Sequence, residues 1–260
     1  MTLASSVKPI FSAETALAAL GEDDQQIRYY ATWWLGKHQV QSAGISLCEL
    51  LKDEDYRTVQ GGYPLRRQAA RALGQLKQVE TVPALIMALD CQEDLQLREA
   101  VIQALAAIGD RHATIPLLRL LHSEQPQPYE ALIEALGEFR VSEAWSDVVP
   151  FLEHSSERIQ CAAARYCYQI SQEKRYLTRI IDNLNHENSY VRWAAAFDLG
   201  AIGHLAAAEA ILEAQIANSL KLLNLKRILE SVLKSDRPDE EKQMASETLF
   251  EAIDELLWQL

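Results

Sequence analysis

The sequence predicts an all-α fold, a helical-repeat solenoid (α–α superhelix) running through residues 1–260 as one domain. Three observations carry that expectation. A local pattern returns about every 31 residues. Within each return, apolar side chains recur at the spacing of one helix face. Gly and Pro are sparse, at 10 and 8, while Ala and Leu are plentiful, a balance that favours helix over sheet. With 48% hydrophobic residues in 260, the chain can bury a sizeable core.

The pattern is an apolar residue followed by a marked position: Ile27-Arg28, Leu65-Arg66, Leu97-Arg98, Pro128-Tyr129, Ile159-Gln160 and Val191-Arg192. Successive marks lie 38, 32, 31, 31 and 32 residues apart. Eight residues after the mark stands Gly36, Gly74, Gly137 or Gly200 in four of the six repeats. In the first repeat Asp24 lies four residues before Arg28, where an N-cap belongs. The interval to the second mark is enlarged at Asp53–Gly62, and insertions in solenoids map to loops on one face, often the binding face. Gly61-Gly62-Tyr63-Pro64 then feeds directly into a helix. In the third repeat Val82-Pro83-Ala84-Leu85-Ile86 reads as an outer helix, with an early Pro suited by its fixed φ, and Asp94 caps the inner helix. Ile115-Pro116-Leu117-Leu118 plays the outer part in the fourth. In the fifth, Val148-Val149-Pro150-Phe151-Leu152 carries its Pro later, which predicts a kink. Asn188 caps the sixth inner helix. The last segment, 239–260, holds seven acids and an apolar stripe of Phe250, Ile253, Leu257 and Leu260, with Met244 and Leu249 nearby. It reads as a capping helix, or alternatively as a docking helix for a partner. This makes about six to seven helix pairs of a short HEAT-like type.

Positions −1, +3 and +7 from the mark are apolar and define the buried face. Positions +1 and +5 point the other way and are expected to line the concave side. They read Tyr29/Trp33, Arg67/Arg71, Glu99/Gln103, Glu130/Glu134, Cys161/Arg165 and Trp193/Phe197. Trp33 and Trp193 there are either covered by a neighbouring element or contact a ligand. Trp34, at +6, borders the core. Arg28, Arg98 and Arg192 at the mark read as structural repeat arginines.

Tyr56 to Val79 carries Arg57, Arg66, Arg67, Arg71 and Lys77 without one acid, inside a chain of net charge −12. A positive island in an acidic protein fits a local anionic target better than DNA, which the overall field repels. Arginine pairs hold carboxylates in bidentate fashion. Tyr and Trp rings stack on flat conjugated ligands. Glu99 or Glu130 could accept pyrrole N–H bonds or move a proton, and His38, near the Trp pair, could act as acid or base. A flat tetrapyrrole with two propionates suits all three features; a mixed polar surface for a protein partner is the other reading. The four cysteines (Cys48, Cys91, Cys161, Cys167) lack metal-type spacing, which points to a reduced, cytoplasmic protein. No secretory signal, membrane span, mononucleotide phosphate loop or zinc spacing is recognisable.

Tyr29-Tyr30-Ala31-Thr32-Trp33-Trp34-Leu35-Gly36-Lys37 and Gly61-Gly62-Tyr63-Pro64-Leu65-Arg66-Arg67-Gln68-Ala69-Ala70-Arg71-Ala72-Leu73-Gly74 resemble the E-type (alpha) subunit of the heterodimeric phycobilin lyases. Gln127-Pro128-Tyr129-Glu130-Ala131, Arg158 to Arg165 and Asn218-Ser219-Leu220-Lys221-Leu222 support the resemblance, which covers nearly the whole chain. It implies an enzyme active only with an F-type partner, attaching phycocyanobilin through a thioether to a cysteine of a phycobiliprotein alpha chain. The short Leu121–Pro128 stretch and Lys37-His38-Gln39-Val40 resemble the phycoerythrocyanin branch, in which the bilin is also isomerised to phycoviolobilin. The His-Cys motif of that isomerisation belongs to the F partner, and this chain has no His-Cys dipeptide. The resemblance implies bilin as substrate rather than a tightly bound cofactor, no nucleic-acid partner, and a cytoplasmic or phycobilisome-associated location. It leaves any metal requirement open. Arg66, Arg67 and Arg71, with Arg57, Gly61 and Gly62 beside them, are then expected to hold the propionates. Tyr29, Trp33, Trp34, Tyr63 and Trp193 are expected to contact the chromophore, with Glu99, Glu130 and His38 as proton-handling groups. A non-catalytic HEAT scaffold or chaperone gripping apo-phycobiliprotein is the alternative, and removal of bilin from finished phycobiliprotein a third.

Overall fold

The computed structural model describes residues 9–59 and 61–259. Among them every regular element is helical. The chain divides into two compact units, one ending at Phe139 and one running Arg140–Leu260.

The first unit holds α1 (Ala13–Ala19), α2 (Gln25–Lys37), α3 (Gly44–Leu50), α4 (Pro64–Leu76), α5 (Val82–Ala88), α6 (Leu95–Ile108), α7 (Thr114–Leu121) and α8 (Tyr129–Glu138). The longer helices α2, α4, α6 and α8 stack in succession as an inner row. Each carries its shorter neighbour on its back: α1 on α2, α3 on α4, α5 on α6 and α7 on α8. The inner helices begin where the sequence marks them. Asp24 accepts from the Gln26 and Ile27 N–H groups at 2.8 and 3.3 Å. Asp94 accepts from Leu97 N–H at 2.9 Å. Such a cap is worth about 1 kcal/mol. Leu65, Ala69 and Leu73, and Leu97, Val101 and Leu105, are fully buried, as the face assignment requires. Each such leucine contributes about 1.5–3 kcal/mol by leaving water.

The mark and the glycine have distinct structural jobs. Arg28 donates from Nε to Leu20 O at 3.2 Å, and Arg98 from Nε to Leu89 O at 3.0 Å. Each guanidinium thus caps the carbonyl end of the preceding outer helix, supplying partners that helix termini lack. The glycine eight residues on lets inner helices touch through their backbones. A Cβ on Gly36 would stand 2.8 Å from Ala72 Cα, and one on Gly74 would stand 2.9 Å from Ala104 Cα.

The second unit holds α9 (Trp145–Val148), α10 (Glu157–Ser171), α11 (Lys174–Asp182), α12 (Ser189–Ile202), α13 (Ala206–Glu213), α14 (Asn218–Lys234) and α15 (Asp239–Leu257). Here α10, α12 and α14 form the stacked row, with α11 on α10, α13 on α14 and α15 closing on α14. At Pro150 the backbone changes from α to a 3-10 turn, Val149–Glu153, which is the break the late proline predicts. Arg192 repeats the carbonyl tie, donating to His186 O at 2.7 Å and Gln215 O at 3.1 Å. Asn188 caps α12 through Tyr190 N–H at 2.9 Å.

Two expectations are corrected in this unit. Cys161 and Arg165, placed on the outward stripe, are buried. Every residue of α10 from Cys161 to Tyr168 is buried, because neighbours cover it on all sides. Asn183 Nδ2 lies 2.8 Å from Cys161 Sγ, and Arg165 joins Arg158 on the buried Asp198 carboxylate. In α15 the face turned inward carries Ala245, Ser246, Leu249 and Leu256. Phe250 and Leu257 of the anticipated stripe are exposed, as is Met244 near it. Leu249 and Leu256, one residue before Phe250 and Leu257, are the buried leucines of this helix. Leu260 lies outside the described residues.

Candidate functional site

The basic island is organised around one carboxylate. Gly61 and Gly62 turn the chain with φ of 86° and 88°, a region that strains residues with a Cβ. A Cβ on Gly62 would also fall 2.9 Å from Asp94 Oδ2. That oxygen receives Tyr63 N–H at 2.7 Å and Arg67 Nε at 2.7 Å, while Asp94 Oδ1 takes Arg67 Nε at 3.0 Å and Leu97 N–H at 2.9 Å. Burial alone would raise the Asp94 carboxyl. The Arg67 bond and the Tyr63 and Leu97 N–H groups outweigh it and hold the group below the ordinary carboxylate range. Arg67 Nη1 also donates to Gln96 Oε1. One residue earlier, Glu93 pairs with Arg57 at 2.7 Å and accepts from the Tyr63 hydroxyl at 3.3 Å. Tyr63 is buried, with the Arg66 and Arg57 guanidinium carbons 4.7 and 5.5 Å from its ring centre. The loop is therefore latched to the turn between α5 and α6 by its own cations. Within the island Arg71 and Lys77 both stand clear of this latch, and Arg71 is the one on the inner-helix face. It is exposed on α4, with no partner among the described residues.

The neighbouring α2 supplies an aromatic face. Tyr29 and Tyr30 are exposed and Trp33 is half-buried. Tyr30 and Trp33 are 5.4 Å apart, and Lys37 Nζ sits 4.6 Å over the Trp33 ring. Trp34 is half-buried and stacks on His38 at 4.0 Å, so His38 closes the helix end rather than joining Trp33. Glu99 is exposed on α6 and accepts from Gln103 at 3.2 Å; Glu130 is half-buried in the first turn of α8. α2 and α4 pack together, as do α4 and α6, so the α2 aromatics, Arg71 and Glu99 stand on successive inner helices.

In the second unit Trp193 lies on a cavity of about 900 Å³. Tyr190 and Trp193 are stacked at 6.0 Å and 15°, and Phe197 is 4.4 Å beyond Trp193. Ile216, Leu220 and Leu223 supply more of the wall. Sequence reasoning placed Trp193 and Phe197 on the outward stripe and missed Tyr190 and the α14 wall, although Tyr190, Trp193 and Phe197 follow i, i+3, i+7 spacing. Cys161 and Cys167 are pushed by burial to about 11, which disables both as nucleophiles near neutral pH. Among the described residues no His/Cys/Asp/Glu group could hold a metal, and no helix is long and apolar enough to cross a membrane.

The chain matches a model of HEAT repeats over residues 61–136 and one of the PBS lyase HEAT-like repeat over 191–216. It is 61% identical to the bilin biosynthesis protein PecE of Mastigocladus laminosus, covering all of both chains. It is 45% identical to the phycocyanobilin lyase subunit alpha of Nostoc sp. PCC 7120, covering 88% of this chain and 87% of the other. A solved structure, the complex of CpcE and CpcF of phycocyanin lyase from Nostoc sp. PCC7120, contains a chain that superposes with a TM-score of 0.85 at 41% identity, over 98% of both.

Proposed function

This chain belongs to the family of E-type (alpha) subunits of the phycobilin lyases, and on that premise we propose that it is half of a heterodimeric enzyme that attaches phycocyanobilin to a phycobiliprotein alpha chain. Full-length identity of 61% to a bilin biosynthesis protein carries the reading. The bond formed is a thioether: the acceptor's thiolate sulfur adds to the ethylidene carbon of the bilin, and the electron pair moves into the protonated conjugated system. The identity to PecE, with the short Leu121–Pro128 stretch, favours the phycoerythrocyanin branch, in which isomerisation to phycoviolobilin accompanies attachment. The buried state of Cys161 and Cys167 supports a nucleophile supplied by the acceptor.

In this reading Tyr29 and Trp33 flank the chromophore and Arg71 anchors a propionate. Arg66 and Arg67, with Arg57, Gly61, Gly62 and Tyr63, shape the loop beside it. Glu99 or Glu130 keeps the bilin charged at its pyrrole nitrogens, and His38 with Trp34 borders the site. The F-type subunit is the partner, phycobilisomes are the setting, and no membrane or nucleic acid is involved. The test is co-expression with an F-type subunit, an apo-alpha chain and a bilin source, reading the absorbance of the purified alpha chain. Covalent violobilin-like pigment is expected. Cyanobilin-like pigment would move the chain to the phycocyanin branch. No covalent pigment, with both subunits folded and associated, would leave the non-catalytic scaffold or chaperone.

A further inference from the structure

Resting on that lyase reading, we propose that the Arg140–Leu260 unit carries a bilin seat of its own, in which Tyr190, Trp193 and Phe197 take the conjugated rings and Arg192 takes a carboxylate. The cavity, about 900 Å³, falls within the range of about 300–1,000 Å³ typical of small-molecule sites. Its aromatic wall is open within the unit: Tyr190 is 57% and Trp193 45% exposed. With Leu223, 44% exposed, they form one apolar surface that water covers at a cost. Tyr190 and Trp193 are near-parallel at 15°, with Phe197 tilted by 39° beside them, an aromatic wall that a planar conjugated ligand covers better than an aliphatic one.

The polar donor is already held in place. Arg192 Nε and Nη1 are fixed on the Gln215, His186 and Glu187 carbonyls, at 3.1, 2.7 and 2.9 Å, while Nη2 has no partner among the described residues. A carboxylate arriving there meets a cation that loses little freedom on binding. α14 opens at the same cavity without a side-chain cap, adding the positive end of a helix. The wall offered by α12 runs from Ser189 to Phe197, about 12 Å of helix. That is short for a docked partner helix and matched to flat rings with a charged substituent.

The test titrates phycocyanobilin into the full chain, alone and with its F-type partner, and reads the circular dichroism induced in the bilin's visible band. Trp193→Ala and Tyr190→Ala should each weaken binding about tenfold with unchanged far-ultraviolet spectra, tyrosine serving if the tryptophan variant misfolds. In a chain whose first-unit site is silenced by Trp33→Ala and Arg71→Ala, Leu223→Arg should abolish the induced signal that remains. Wild-type affinity in the folded variants overturns the seat, as does a wild-type chain that binds no bilin. Loss of partner association in Leu223→Arg with bilin affinity intact also overturns it, and makes the cavity a protein surface. The lyase reading fails separately, if the wild-type pair binds bilin and attaches none.

Discussion

Replacing Asp94 by alanine tests whether the basic loop is an internal latch. The carboxylate caps α6 and takes Tyr63 N–H and Arg67 Nε. Loss of the cap costs about 1 kcal/mol. Tyr63 N–H loses a buried acceptor, worth about 1–3 kcal/mol, and Arg67, its side chain 21% exposed, loses a charge-assisted partner worth about 1.5–3 kcal/mol. These losses share one group and overlap, so we expect about 3–4 kcal/mol in total. Asp94→Asn keeps an acceptor for the cap and should lose about half as much. Because the folded carboxyl titrates below its ordinary range, its contribution is present at neutral pH. It fades as pH falls below about 4 through the lower folded value. The acid limb of stability should therefore be shallower in Asp94→Asn than in the wild type. Hydrogen exchange of the Tyr63 and Leu97 amides in the full chain is the assay, with a rise of about 200- to 800-fold expected for the alanine variant. A rise below about threefold would refute the latch.

Three further outcomes follow from the same geometry. Gly74→Val should destabilise the first unit by about 2–3 kcal/mol in urea unfolding, because its Cβ would press on Ala104 Cα at 2.9 Å. Asp198→Ala should cost about 3–5 kcal/mol by leaving Arg158 and Arg165 without their buried carboxylate, and a variant as stable as the wild type would count against that network. Arg71→Ala should reduce bilin transfer while shifting stability by no more than about 0.5 kcal/mol, since the side chain is exposed without an internal partner; unchanged transfer would remove it from the site.

The parts of the fold that are local in the chain were legible. Asp24, Asp94 and Asn188 announce helix starts, Pro150 announces a break, and the marked arginine lies within nine residues of the carbonyls it ties in the first and third repeats. What joins distant segments was not legible. Arg67 and Asp94 are 27 residues apart, and only the stacked repeats bring them together. The sequence offers Arg67 as a propionate clamp and Tyr63 as a chromophore contact, with nothing to show that Asp94 and Glu93 hold them. Helix-face reasoning failed at Cys161 and Arg165 for another reason. It assumes one buried and one wet side, and α10 is buried all round. At α15 the apolar residues spread over more than one face, so period alone could not choose between Leu249/Leu256 and Phe250/Leu257.

The glycine crossings bear on how the molecule bends. Where α2 meets α4 and α4 meets α6, Gly36 and Gly74 lie close against the Ala72 and Ala104 backbones, with the Gln75 side chain also packed on Gly36. Such joints are stiff. The mark-plus-eight position of α6, which packs on α8, is Ala106, and that of α10, which packs on α12, is Tyr168, whose ring meets His204 edge-on at 5.9 Å. Elastic compliance within each unit should concentrate at these two joints. A ligand that bends either unit will find its hinge there.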